Sequence, residues 1–138
     1  MTPEIAAALV DALGDAFAAG DTAAVLAAFA EGDDIVYTGS EAGECAVGRA
    51  ALGRLLRDLF ARDERYLWRS EVVHVSSSDG SATVVAEARL YVLPSSSGPH
   101  PSPVEDFPYR VSGVLVRGEN GWRWRFCQGA EPRPAELN

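Results

Sequence analysis

Apolar residues recur at helical spacing from the start of the chain to about Arg62 and at a spacing of two from Tyr66 onward. Thr2-Pro3-Glu4 predicts a helix start: Thr is an N-cap, Pro suits the first helical position, and acid suits the first turn. Ile5, Leu9, Leu13, Ala16 and Phe17 then share one helical face, and Gly20 closes the helix. Asp21 caps a second helix with Val25, Leu26 and Phe29 inward, ended by Gly32-Asp33-Asp34. Phe17 and Phe29 read first as core. Ile35 to Thr38 is a short strand, and Gly39 to Glu44 is a loop. A third helix runs from Arg49 to about Arg62, burying Leu52, Leu55, Leu56, Leu59 and Phe60. Its outer face carries Arg49, Arg57, Asp58 and Arg62 in solvent.

The second half predicts strands. Tyr66–Ser76 and Ala82–Leu93 flank a turn at Asp79-Gly80. A tight turn there places Trp68, Ser70, Val72 and His74 on one face with Val85, Glu87, Arg89 and Tyr91. The opposite face takes Arg69, Glu71, Val73 and Val75 with Ala82, Val84, Ala86, Ala88 and Leu90. Tyr109–Arg117 and Trp122–Ala130 flank Gly118-Glu119-Asn120-Gly121, whose Asn-Gly pair is a strong hairpin signal. After it Trp122, Trp124 and Phe126 alternate with Arg123 and Arg125, giving one aromatic and one cationic face. Gln128 continues the aromatic row and is the first candidate for a site residue. Pro94–Pro108, with five Pro and four Ser, is expected to be disordered or mobile, anchored at most by Val104 and Phe107. The order α-α-β-α-β-β-β-β predicts one α+β domain over residues 1–132, with the helices on one face of a curved antiparallel sheet and a flexible tail at 133–138.

Composition narrows the chemistry. A net charge of −8 argues against nucleic acid as a partner. The acid is uneven, 12 of the 20 Asp and Glu lying within residues 1–64. All 12 basic residues other than His are Arg, which excludes a Schiff-base or P-loop lysine. His74, His100, Cys45 and Cys127 lack ligand spacing, so neither a metal nor another cofactor is expected, and the cysteines read as reduced, semi-buried residues. No apolar run reaches membrane-spanning length and the first residues do not form a signal peptide, so a cytoplasmic protein without membrane contact is expected.

The order of elements, with Gly39-Ser40-Glu41-Ala42-Gly43-Glu44, Gly48-Arg49-Ala50-Ala51-Leu52, Asp79-Gly80-Ser81-Ala82, Arg110-Val111-Ser112 and Gly121-Trp122-Arg123-Trp124 running to Pro132, resembles the nuclear transport factor 2-like superfamily and, within it, the SnoaL-like, ketosteroid-isomerase-like branch. The resemblance covers nearly all of residues 1–132. It implies a cone-shaped, cystatin-like fold enclosing a pocket, and a homodimer formed through the sheet. Catalytic relatives place an acidic base at the end of the first strand, where this chain has Val36-Tyr37-Thr38-Gly39. Many also carry a His-x-Ser pair on the last strand, where the matching positions are Gln128 and Ala130. Gln is no general base and Ala supplies no functional group.

Three functions are compatible with this reading. The first is a module binding a small apolar or ring-containing molecule, its pocket walled by Phe17, Trp68, Tyr91 and Trp124 and its ligand oriented by Tyr37, Arg89 and Gln128. The second is an isomerase, cyclase or hydratase with Glu87 as base and Tyr37 or Gln128 as donor. The third is a dimerisation scaffold with a vestigial pocket. Tyr37 is either a pocket hydroxyl or plain core. Glu87 and Arg89 read equally as cross-strand ion pairs with Arg69, Glu71 or Arg110. His74 reads as an ordinary strand residue. With the family's acid and His-Ser pair both missing, binding and scaffolding rank ahead of catalysis.

Overall fold

The computed structural model describes residues 1–95 and 102–135. His100 and the end of the expected tail, 136–138, lie outside the described residues. The elements are α1 (Pro3–Ala19), α2 (Thr22–Ala28), β1 (Val36–Thr38), β2 (Cys45–Val47), α3 (Arg49–Phe60), β3 (Glu64–Ser78), β4 (Ser81–Pro94), β5 (Glu105–Gly118) and β6 (Gly121–Ala130). Six strands form one curved sheet in the order β2-β1-β6-β5-β4-β3. The α+β fold is as expected, but the sheet is mixed rather than antiparallel throughout, because β1 runs parallel to β6. Strand β2, within a stretch read as connection, pairs β1. Among the described residues no helix is long and apolar enough to cross a membrane.

Helix α1 starts and stops as its caps require. Thr2 Oγ1 accepts from the Ile5 amide, and Gly20 closes the helix at φ 64°. Its buried stripe is rotated from the expected one: Ala6, Val10, Leu13, Gly14 and Phe17 face the sheet, while Ile5 is 47% exposed. The cause is close packing on β3. A β-carbon on Gly14 would stand 2.6 Å from the Trp68 carbonyl oxygen, so only glycine lets the helix lie there. The Trp68 indole Nε1–H donates to the Val10 carbonyl at 2.8 Å, and the Asp11 carboxylate accepts from the Ser70 amide at 2.8 Å.

Helix α2 is shorter than expected. Phe29 leaves it in extended conformation and bridges Trp124, and the Ala30 amide donates to the Trp124 carbonyl at 2.8 Å. The carbonyls thereby left open are met by Arg49, which was expected in solvent. Its guanidinium donates to Leu26 and Ala30 carbonyls, each at 3.0 Å. A cation on the last carbonyls of a helix also suits its dipole.

Two bulges set the faces of the sheet. From the Asp79-Gly80 turn to the Val72–Glu87 pair, β3 and β4 match as the turn dictates; Glu71 is then an extra residue, and Ser70 faces Ala88, Trp68 faces Leu90. From the Glu119-Asn120 turn to the Leu115–Trp124 pair, β5 and β6 likewise match; Arg125 is then extra, and Val114 faces Phe126. A shift of one residue exchanges the two faces of everything beyond it. Gly113 marks the second bulge: a β-carbon there would collide with the Phe126 carbonyl.

The consequences correct the predicted faces. Trp68 joins Ala82, Val84, Ala86, Ala88 and Leu90 on the inner face, where all are buried against the helices. Glu87, Arg89 and Tyr91 lie on the outer face, with Val72 and His74. Trp124 is buried as predicted, but beyond Arg125 the inward residues are Cys127 and Gly129, and Phe126 and Gln128 face out. The stretch expected to be mobile is strand at both ends: Phe107 pairs Leu90 and Pro108 pairs Arg89, while the Val104 amide donates to the Val92 carbonyl. Residues 96–101 of that stretch lie outside the described residues.

Candidate functional site

The inner face is filled by Trp124, Phe29, Leu13, Leu52, Leu56 and Leu115 over most of its area. It stays open at the end where β1, β3 and β5 meet the loop after β1. There a cavity of about 80 Å³ is lined by Phe17, Tyr37, Ser40, Glu41, Glu44, Leu59, Tyr66, Trp68, Leu90, Phe107, Tyr109 and Glu131. Phe17 is the hub of its wall, its ring centroid 4.9 Å from Trp68 and 5.6 Å from Tyr37, and Trp68 stacks on Tyr109 at 6.0 Å. A larger groove of about 180 Å³ beside the β5–β6 turn is lined by Ala30, Glu31 and residues of the hairpin. Its lining includes no buried titratable side chain, unlike that of the cone mouth.

Of the residues expected in the pocket, Phe17, Tyr37 and Trp68 meet there. Trp124 is core behind it. Arg89 and Tyr91 are on the outer face, where Arg89 pairs Asp106 at 2.8 Å. Gln128 is exposed and lines a shallow outer groove with Gly39, Ser40 and Arg133. The expected base Glu87 pairs Arg110 at 2.9 Å on the outer face, the cross-strand ion pair that was its other reading.

Besides Tyr37, the polar groups of the mouth are residues not expected in the pocket. Glu44 ends the loop after β1. That loop closes on itself, the Gly39 amide donating to the Glu44 carbonyl at 2.7 Å and the Glu41 amide to the Glu44 carboxylate at 3.0 Å. Glycine at 39 makes room: a β-carbon there would stand 2.7 Å from a Glu44 carboxylate oxygen. Partial burial raises the Glu44 pKa, opposed by the Glu41 amide and reinforced by the Glu41 charge. The loop is pinned from outside by Arg62, which meets Glu41 at 3.0 Å and donates to the Tyr66 hydroxyl at 3.3 Å.

Two phenols face Glu44. Tyr37 is 4% exposed and its pKa is raised, chiefly by burial and then by Tyr109, Cys127 and Glu44. Among the described residues no group hydrogen-bonds its hydroxyl. Tyr109 is equally buried and also raised, Ser40 offsetting part of the effect. Both stay neutral O–H groups at any ordinary pH. Cys127 is buried behind them with its thiol pushed up to about 12 by burial, so it is inert, while Cys45 is exposed rather than semi-buried. The arrangement can hold a small apolar body, hydrogen-bond one polar atom through a phenol, and exchange a proton at Glu44. The signal in the sequence was Glu44 itself, the acid that ends the Gly39–Glu44 loop directly before β2; Tyr109 was read as the first residue of a strand and not as a site residue.

The family profile described as a SnoaL-like domain matches residues 6–129. No curated protein matches the chain. Similar solved structures include a ketosteroid isomerase-like protein from Erwinia carotovora atroseptica, 22% identical over 97% of this chain and 100% of that one, with a TM-score of 0.69. A nuclear transport factor 2-like superfamily protein from Salmonella enterica is 9% identical over 98% and 94%, with a TM-score of 0.76. A protein with a cystatin-like fold from Novosphingobium aromaticivorans is 20% identical over 96% and 82%, with a TM-score of 0.66. At these identities the likeness is one of fold.

Proposed function

Because the chain belongs to the SnoaL-like domain family, whose fold supports ligand binding or isomerase- and hydratase-type chemistry, we propose that this protein binds a small apolar, ring-containing molecule in the mouth of its cone. The observation that carries this reading is the Tyr37 hydroxyl, on a nearly buried residue, which no described group hydrogen-bonds and which opens on a cavity walled by Phe17, Trp68 and Tyr109. It is left free to bond a polar atom of a bound molecule. At about 80 Å³ the cavity is smaller than the roughly 150 Å³ of an engineered cavity that accepts benzene, so a ring would sit partly in the open mouth. Titration with small aromatic alcohols and ketones, followed by Trp68 fluorescence and by NMR shifts of the mouth residues, tests it. Binding that Tyr37→Phe weakens supports the reading; no response at the mouth to any such probe rejects it.

One observation favours a second reading, acid-base catalysis of the isomerase or hydratase kind. Glu44 lines the cavity, as Glu41 and Glu131 do and Glu87 does not, and its raised pKa suits proton transfer. Turnover lost in Glu44→Gln and retained in Glu87→Gln would establish it. The homodimer remains a proposal with a different surface from the one first drawn. Ala82, Ala86 and Ala88 face inward, so the outer face would pack through Val72, Val85, Tyr91, Val114 and Phe126.

A further inference from the structure

The mouth is acidic. Glu41, Glu44 and Glu131 line it, and no Arg or His lines it among the described residues. Arg62 stands at the rim, but its guanidinium is engaged by Glu41 at 3.0 Å and by the Tyr66 hydroxyl. Glu44 and Glu131 have no such partner: neither forms an ion pair among the described residues. The walls include the aromatic side chains Phe17, Tyr37, Trp68 and Tyr109, of the kind whose rings attract a cation within about 6 Å. The unpartnered Tyr37 oxygen offers an acceptor to an N–H group. The whole chain adds a net charge of −8, which draws cations to the surface and repels carboxylates.

We infer that the mouth selects a small primary ammonium carried on an aromatic or apolar body. The rings hold the body, Glu44 and Glu131 neutralise the charge, and the Tyr37 oxygen accepts one ammonium N–H. This inference rests on the binding reading above and adds the sign of the ligand's charge to it. It carries a pH signature. Packed around Glu44 are Tyr37 of β1, Glu41 of its own loop, Arg62 after α3, Tyr66 of β3, Tyr109 of β5 and Glu131 after β6. An arriving ammonium favours ionised Glu44, so binding expels its proton and affinity rises with pH through the carboxylate range.

The test uses the full chain and three probes that share one ring and differ in the head: benzylammonium, benzyl alcohol and benzoate. NMR shifts of Tyr37 and Trp68 report occupancy. Benzylammonium should bind about tenfold tighter than benzyl alcohol, and benzoate should not bind. Glu44→Gln, whose amide oxygen can still accept from the Glu41 amide, should abolish that preference by lowering benzylammonium affinity. Glu31→Gln, at the other groove, should change neither. If benzyl alcohol matches or exceeds benzylammonium, the charge inference is overturned and the binding reading stands. A preference that survives Glu44→Gln is general attraction to an acidic protein and also overturns it. If none of the three perturbs Tyr37 or Trp68, the binding reading fails as well.

Discussion

The Tyr109 phenol lies directly over Gly129, so close that a β-carbon at position 129 would overlap the hydroxyl oxygen and stand 2.8 Å from the ring carbon that bears it. The glycine on β6 thus leaves the space in which a β5 side chain reaches the cavity. Gly129→Ala should drive Tyr109 out of that place, with an overpacking cost of about 1–3 kcal/mol. Thermal unfolding measures the cost, and NMR of Tyr109 shows the displacement. An unchanged melting temperature with unchanged Tyr109 shifts would contradict the arrangement.

Trp124 is 1% exposed, and its backbone tethers both Phe29 and Ala30. Trp124→Ala should cost about 3–5 kcal/mol, a large part of the roughly 5–15 kcal/mol that stabilises a domain. Urea unfolding should show a much lower midpoint or no folded baseline.

Arg49 closes the open end of α2. Arg49→Ala removes donors from the Leu26, Phe29 and Ala30 carbonyls and should cost about 1–3 kcal/mol. Hydrogen exchange should show faster opening of α2 while the centre of the sheet stays protected.

Glu44 gives a pH dependence of defined sign. Its folded-state pKa is raised, chiefly by burial, so the fold favours its protonated form. The group's contribution to stability is fully present below the ordinary glutamate pKa and is lost as pH rises through the raised value. Glu44→Gln should therefore melt higher than the native chain at neutral pH, and the difference should vanish at acid pH. A variant equally or less stable at neutral pH would show that the carboxylate is not penalised there.

The outer face gives the last prediction. Val72 is 53% exposed there among Val85, Tyr91 and Phe126, and a stable dimer buries about 1,200–2,000 Å². Sedimentation at tens of micromolar should show a dimer that Val72→Arg dissociates. Gln128→Leu, on the outer side of β6, should leave ligand affinity at the mouth unchanged. A native monomer would refute the dimer.

Local chemistry is written in the sequence, and much of the architecture follows from it. Thr2, Pro3 and Gly20 bound α1, Asp79-Gly80 and Glu119-Asn120 centre the two hairpins, and the switch from helical spacing to alternation at Tyr66 gives the α+β class. The resemblance carried by the loops and turns led to the right family. Phe17, Tyr37 and Trp68, expected on the pocket wall, do line the cavity. What the sequence by itself did not determine is which way the strands face. Alternation counted from a turn holds only until a residue is left out of the ladder, and Glu71 and Arg125 are both left out. Each bulge is stabilised by contacts remote in sequence. The Asp11 carboxylate takes the Ser70 amide beside the first, and Gly113 opens room for the Phe126 carbonyl beside the second. The first slip parted Trp68 from Glu87, Arg89 and Tyr91 and turned it onto the inner face, and the second turned Gln128 out of the cone. Glu44 joins the aromatic wall only when parallel pairing of β1 with β6 and packing of α1 on β3 bring four distant segments together. No local propensity encodes that meeting, because its energy comes from burying the assembled surfaces.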